Sequence, residues 1–274
     1  MKISIVTPSY NQGQFIEKAI QSVLDQNYLN FEHIIIDNCS TDQTSEILEK
    51  YPHLKIICEA DTGQSDALNK GFKIATGEIV GWLNSDDRYL QKCFDEVQKT
   101  FLAHHETDIV YGDYYWIEES GKIIQTRREI DFDLFILKYL HVLYIPTTTS
   151  FFRRKIFDEN NFLDCNINYA MDYDFFLRLA LQKYKIKHVK RFWAEFRWHQ
   201  KSKSNQMVKN KYYMNISLSQ DMNDILLRQD KSMQNVPKKI QGIVIFSLRV
   251  LARIKRYGIK FFSGFYLDQW RQDD

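Results

Sequence analysis

Ile3-Ser4-Ile5-Val6-Thr7-Pro8-Ser9-Tyr10-Asn11 is a short β-branched run that stops at a proline and passes into a polar turn. Ile3–Thr7 reads as a buried strand, and Pro8 ends it by removing a backbone donor. The same unit recurs along the first 110 residues. His33–Ile36 runs into Asp37-Asn38-Cys39-Ser40-Thr41-Asp42. Leu54–Cys58 runs into a segment holding Glu59, Asp61, Gly63, Gln64, Ser65 and Asp66. Glu78–Leu83 ends in Asn84-Ser85-Asp86-Asp87, and Asp108–Tyr111 supplies a fifth strand. Between these runs, Phe15, Ala19, Ile20, Val23 and Leu24 share one helical face, as do Ala67, Leu68, Gly71, Phe72 and Ala75. Ser40 and Gln43 have capping-box spacing ahead of Ile47 and Leu48. Alternation at this spacing predicts an α/β fold whose central sheet is mainly parallel, with helices on both faces and right-handed crossovers. In such sheets ligands bind outside the carboxyl ends of the strands, where all four polar clusters fall.

After residue 113 the rhythm changes. Tyr114–Ile117 and Lys122–Thr126 form a hairpin pattern, Phe132–Leu140 and Asp174–Leu181 helical ones, and Ile186–Arg197 an aromatic-rich strand. The division read from this is 1–205 as a catalytic unit, split at 112/113 into donor-side and acceptor-side halves, followed by a helical extension over 206–274. The 16 Tyr, 19 Phe and 5 Trp exceed what a core alone usually requires. They fit either a groove that holds rings or large buried clusters.

Absent patterns narrow the chemistry. There is no G-x-G-x-x-G after the first strand and no P-loop, which disfavours dinucleotide dehydrogenases and excludes the P-loop NTPases. A nucleotide bound here needs another source of positive charge for its phosphates. Asn84-x-Asp86 with Asp87 offers hard oxygen ligands suited to Mn²⁺ or Mg²⁺. The same residues also read as a turn that caps the next helix. The first 100 residues carry 9 Lys and Arg against 15 Asp and Glu, an acidic surface unsuited to nucleic acid. The four cysteines lack a C-x-x-C pair, which argues against a disulfide scaffold or zinc–thiolate site and favours a reducing compartment.

The ordered motifs resemble family 2 glycosyltransferases, the inverting group with the A-type, Rossmann-like nucleotide-diphospho-sugar transferase fold. They are Ile5–Asn11, Ile35–Asp42, Gly63–Gly71, Gly77–Asp87 and Ala170–Leu179. That resemblance implies a nucleoside-diphosphate sugar donor, a UDP-sugar, and a hydroxyl acceptor on a glycan or lipid-linked glycan of bacterial surface polysaccharide. It implies that Thr7, Pro8, Tyr10, Asn11 and Asp37 hold the base and ribose with Gln64 and Asp66 nearby. Asn84, Ser85 and Asp86 take the D-x-D position, with Asn84 replacing the first carboxylate and Asp86 binding the metal. Asp172 falls at the catalytic base, where Met171 replaces a preceding carboxylate; the alternative is that Asp172 or Asp174 caps a helix. Phe196–Ser204 resembles the segment that closes over the donor. There His199 would complete the metal shell and Lys201 or Lys203 neutralise a phosphate, unless the stretch is simply a solvated loop. Thr147–Ser150 lie where sugar-hydroxyl contacts are expected. A sugar nucleotidyltransferase lacks support, since Ser9–Gln14 has one Gly and no basic residue, and a non-catalytic binding module of the same fold is the other alternative.

Residues 201–274 carry 14 Lys and Arg against 6 Asp and Glu. Arg249, Arg253, Arg256 and Lys260 recur at helical spacing, with Val244, Leu248, Leu251, Ile254 and Phe261 at largely other angles. Such an amphipathic helix over 238–262 fits either an anionic membrane surface or packing on the enzyme. No apolar run is long enough to span a bilayer and the N-terminus lacks a signal-peptide pattern, so the expected location is cytoplasmic, with peripheral attachment to the inner membrane face.

Overall fold

The computed structural model describes residues 1–140, 142–200, 202–203 and 211–263, with the backbone alone for 211–219. Its nine-stranded sheet joins β1 (Ile3–Ser9), β2 (Phe31–Asp37), β3 (Leu54–Cys58), β4 (Ile79–Trp82), β5 (Arg88–Tyr89), β6 (Ile109–Glu118), β7 (Ile123–Arg127), β8 (Ser150–Arg153) and β9 (Ile186–Trp198). The order is β3-β2-β1-β4-β8-β6-β9-β5, with β7 paired to β6. The first four strands are parallel to one another and β6 is parallel to β9, whereas β8, β7 and β5 run antiparallel to their partners. Most paired residues are therefore parallel, as the strand–helix alternation requires.

Period-two alternation sends each strand to two cores. Ile3, Ile5, Ile79, Val110 and Phe151 pack on one face with α1 (Ile16–Leu24) and α4 (Cys93–Ala103). Val6, Ile34, Ile36, Val80 and Tyr111 pack on the other with α3 (Gln64–Ile74), α5 (Leu134–Leu140) and α7 (Met171–Leu181). Two short helices, α2 (Thr44–Leu48) and α6 (Lys155–Asp158), complete this part. Gly71 lets α3 lie directly on β1, because a Cβ there would stand 2.2 Å from Val6 Cγ1. Part of the aromatic surplus is core: Phe72, Phe152, Phe157, Phe175 and Phe176 form one buried, mutually packed group.

Two local expectations are corrected. Leu54–Cys58 is a strand, but as the sheet's edge it leaves Lys55, Ile56 and Cys58 exposed rather than buried. The Ser40–Gln43 capping box does not form, because Ser40 turns back to Asp37 and Asp42 Oδ1 accepts the Thr44 N–H at 3.0 Å instead.

The extension over the last 70 residues forms α8 (Lys211–Gln229), α9 (Lys231–Gln234) and α10 (Lys238–Phe262). Met222, Ile225, Leu226, Met233, Ile245 and Ala252 join the same core as α5 and α7. Three of the four residues of the basic stripe of α10, Arg249, Arg256 and Lys260, turn toward the protein, whereas Arg253 is exposed. Arg256 reaches Glu129 at 3.0 Å, Lys260 donates to the Arg128 carbonyl, and Arg249 donates to Asn223. Burial lowers the Lys260 pKa to about 8, with Glu129 opposing the shift. The outward face is apolar, exposing Ile243, Phe246, Val250, Ile254, Tyr257 and Phe261.

Candidate active site

A cavity of about 460 Å³ opens at the carboxyl ends of β1 and β4. These strands flank the switch in strand order, since β2 lies on the other side of β1, and the helix N-termini of α3 and α7 meet there. Pro8, Tyr10, Gln64, Asn84, Ser85, Asp86, Asp172 and His199 all line it, as do Trp82, Thr147 and Lys203. The sequence-predicted positions among these, scattered from 8 to 203, thus share one space. Thr7, Asn11, Asp37 and Asp66 do not line it.

The corner after β4 carries most of the geometry. Asn84 Oδ1 accepts from Trp82 Nε1 at 2.9 Å and from Gln64 Nε2 at 3.0 Å, and its amide donates to Asp87 Oδ2 at 3.1 Å. A carboxylate at 84 could accept but not donate, and would stand beside a buried acid. That accounts for an amide where the resemblance implies Asp, and it leaves Asp86 as the corner's open carboxylate. Asp87 is buried and also accepts from Thr148 Oγ1 at 2.7 Å and from the Arg197 backbone N–H at 2.9 Å. Burial, with the neighbouring Asp86 carboxylate adding to it, raises the Asp87 pKa to about 8.

Asp86 Oδ2 lies 3.0 Å from His199 Nε2, and the imidazole rests 4.6 Å from the Phe15 ring centre. Arg197, fully buried, donates Nε to the Asp86 carbonyl and Nη1 to the carbonyls of Glu118 and Glu119. One carboxylate and one imidazole converging at that distance fit a divalent cation that takes its remaining ligands from phosphate and water, the usual mode for Mg²⁺. No group of three or more His, Cys, Asp or Glu residues arranged to hold a metal occurs among the described residues.

Asp172 stands in the first turn of α7, whose N-cap is Ala170, with no side-chain cap. Its Oδ1 accepts the adjacent Tyr173 N–H, at 2.8 Å. Burial raises its pKa, opposed by that N–H and by the Lys203 charge. Asp174 differs in kind. It is fully buried and bound by Arg178 at 2.7 Å, Arg228 at 3.2 Å and Gln229 at 3.1 Å. Of the two, Asp172 lines the cavity; neither is the N-cap residue, although Asp172 accepts a first-turn N–H of α7. Lys203 donates to the Asn168 carbonyl and lies over the Tyr169 ring. Lys201 lies outside the described residues.

The remaining predicted residues build the walls. Thr7 is buried, its hydroxyl 2.9 Å from His33 Nε2. Asp37 accepts the Ser40 N–H and hydroxyl at 2.8 and 2.6 Å and the Cys58 thiol at 4.0 Å, which uses three of its four lone-pair positions. Asn11, left-handed at φ 52°, accepts from the Thr41 N–H while its own N–H donates to Ser40 Oγ, so the turns after β1 and β2 are stitched together. Asp66 accepts the Thr62 N–H. Of Thr147–Ser150, only Thr147 lines the cavity; Thr149 bonds Gly112 and Ser150 bonds Pro146, so these buried hydroxyls are structural rather than sugar contacts. Ser9, inside the loop Pro8–Asn11 expected to hold the base and ribose, has a buried hydroxyl that lacks a partner among the described residues and sits in the cavity wall. Sequence reading overlooked the roles of Trp82, which bonds the Asn84 side chain, and of Arg197, which bonds three backbone carbonyls. Asp87, read there as an oxygen ligand, is instead buried and bonded by Asn84, Thr148 and the Arg197 N–H.

A parallel sheet with its polar cleft at β1 and β4 and an antiparallel strand inserted at β8 is the A-type glycosyltransferase fold. The profile of glycosyl transferase family 2 matches residues 4–160, and the chain belongs to that family. TuaG of Bacillus subtilis (strain 168), named for teichuronic acid biosynthesis, is 33% identical over 140 residues, covering 48% of this chain and 55% of TuaG. The chain spans about half the length of several curated relatives it matches, TuaG among them. Among solved structures, Staphylococcus aureus TarS in complex with UDP superposes with a TM-score of 0.61 at 19% identity, covering 92% of this chain and 81% of that one. The mannosyltransferase PcManGT of Pyrobaculum calidifontis, in complex with GDP-Man and Mn²⁺, gives 0.63 at 16% identity, covering 91% and 69%.

Proposed function

We propose that this protein is an inverting, metal-dependent glycosyltransferase that moves a sugar from a UDP-sugar to a hydroxyl of a glycan or lipid-linked glycan, in assembly of a bacterial surface polysaccharide. One observation carries the reading: Asp172, with a raised pKa, shares a single cavity with the Asp86–His199 pair. The family membership and the UDP complex of TarS support the donor class. Asp172 takes the proton of the acceptor hydroxyl as that oxygen attacks the anomeric carbon from the face opposite the diphosphate. Asp86 and His199 hold Mn²⁺ or Mg²⁺, which when bound offsets charge on the leaving diphosphate. Asp37, with its remaining lone-pair position, accepts from the base or ribose, and Pro8, Ser9 and Tyr10 wall that end. Release of UDP from a panel of UDP-sugars, with and without a polysaccharide-acceptor extract, tests the activity; no acceptor-stimulated UDP release from any donor overturns it.

The metal assignment has its own test. Asp86→Ala is expected to bind UDP equally weakly with and without Mn²⁺, whereas the parent chain binds more tightly with it. Calorimetry of both proteins in chelator and in Mn²⁺ decides this, and metal-enhanced binding that persists in the variant removes Asp86 from the site.

The same proposal places the enzyme on an anionic bilayer. No helix among the described residues is long and apolar enough to cross a membrane. α10 contains no acidic residue, its exposed charges are Lys238, Lys239, Arg253 and Lys255, and its outward face is apolar. An apolar stripe bordered by cations matches an anionic lipid surface. The protein should therefore float with phosphatidylglycerol vesicles and stay behind with neutral ones. The double substitution Phe246→Asp and Ile254→Asp changes only exposed positions and should abolish flotation while the melting temperature holds. Flotation that survives it argues against this face.

A further inference from the structure

We infer that Cys39 and Cys58 form a reversible disulfide through thiol–disulfide exchange and that this bond weakens nucleotide binding. The two thiols stand 3.7 Å apart, and both residues are exposed. They come from different elements: Cys58 ends β3, at the edge of the sheet, and Cys39 sits in the turn after β2. Cys39 holds a left-handed backbone at φ 47°, a conformation that favours glycine and is uncommon for a residue with a Cβ. A disulfide needs its sulfurs about 2.05 Å apart, so the pair must close by roughly 1.7 Å. That distance lies within reach of side-chain rotation plus a small shift of the turn.

The turn that would shift is the one that shapes the cavity. Asn38 lines it and accepts the Asp61 N–H at 3.0 Å. Ser40, on the other side of Cys39, holds Asp37 and is bonded to Asn11 at 2.8 Å. Drawing Cys39 toward the β3 edge pulls both neighbours from these partners. The chemistry closes with a small-molecule disulfide such as oxidised glutathione as oxidant. The Cys58 thiolate attacks one of its sulfurs and expels a glutathione thiolate, leaving a mixed disulfide on Cys58. The Cys39 thiolate then attacks the Cys58 sulfur and expels the second glutathione. Two protein thiols lose two electrons and two protons, and the glutathione disulfide is reduced to two thiols.

The thiol chemistry stands on geometry alone; the effect on affinity rests on the UDP-binding reading. The full chain is incubated with oxidised glutathione, then examined by intact mass, peptide mapping and UDP calorimetry in Mn²⁺ before and after dithiothreitol. The expected result is loss of two hydrogen masses, a Cys39–Cys58 cross-linked peptide, and UDP affinity about tenfold weaker, as for one or two displaced hydrogen bonds. Dithiothreitol should restore both mass and affinity. Cys39→Ser should stop at the glutathione adduct, and Cys165→Ser should behave as the parent. A persistent adduct in the parent chain, or a cross-link with unchanged affinity, overturns the proposal. If the reduced protein binds no UDP, the nucleotide reading fails and the coupling with it, while peptide mapping still decides the cross-link.

Discussion

Asp172→Asn is expected to leave UDP affinity within a few-fold of the parent and to slow sugar transfer by about 10²–10⁴-fold, the usual contribution of a positioned general base. The substitution keeps the size and the hydrogen bond from the Tyr173 N–H but removes the ability to accept a proton. A capping role predicts a different result, because Asn caps almost as well as Asp. The structure already separates the two carboxylates of this turn: Asp174 is locked by Arg178, Arg228 and Gln229, so Asp174→Asn should lower stability. The raised Asp172 pKa adds a pH test. As the proposed base, Asp172 is active only when ionised, so turnover should fall with decreasing pH at a value above that of an ordinary aspartate. In Asp172→Asn that limb should vanish. Near-normal transfer by the variant would return Asp172 to a structural role. Transfer rate and UDP affinity measured on the same preparation keep loss of chemistry apart from loss of binding.

The parallel half of the fold and the location of the cleft are legible in sequence because both follow from local rules. β-Branched runs of about five residues, each ending in a polar cluster, can hardly be anything but strands whose carboxyl ends meet. Pro8, Tyr10, Gln64, Asn84, Ser85 and Asp86 reach the cavity for that reason. The failures share a different cause. Burial at Leu54–Cys58 depends on which strand lies at the edge, and strand order is non-local. Ser40 meets the capping pattern, yet Asp37 competes for it and wins with two bonds from one carboxylate. The α10 stripe reads identically whichever way the helix rolls, and Glu129, more than a hundred residues away, decides that Arg256 and Lys260 turn inward. Asn84 reads as a weakened ligand, whereas its amide serves Asp87, Trp82 and Gln64 at once.

Arg197 is the residue whose weight sequence reading misses most, since from sequence it is one basic position at the end of an aromatic strand. Its guanidinium is fully buried, bonds three carbonyls, and lies 5.2 Å from the Phe15 ring centre. Those contacts tie the β6–β7 turn to the peptide of Asp86. Arg197→Met keeps much of the volume and removes every donor. Hydrogen bonds from a charged group contribute about 1.5–3 kcal/mol each, and buried carbonyls left without donors add a further penalty. Replacing the buried charge by an apolar chain returns part of that, because an ion no longer has to be desolvated. The net expectation is a loss of about 3–5 kcal/mol, a fall in melting temperature of roughly 6–20 °C for a domain of this size. Arg197→Lys should recover only a fraction, since a single ammonium cannot span three carbonyls held by a planar fork. UDP calorimetry in Mn²⁺, run well below the lowered melting point, should also show weaker binding, because the Asp86 peptide loses the contact that orients its carboxylate toward His199. A variant that melts with the parent would show that the three carbonyls are satisfied without the guanidinium, and Asp86 would then be positioned by β4 alone.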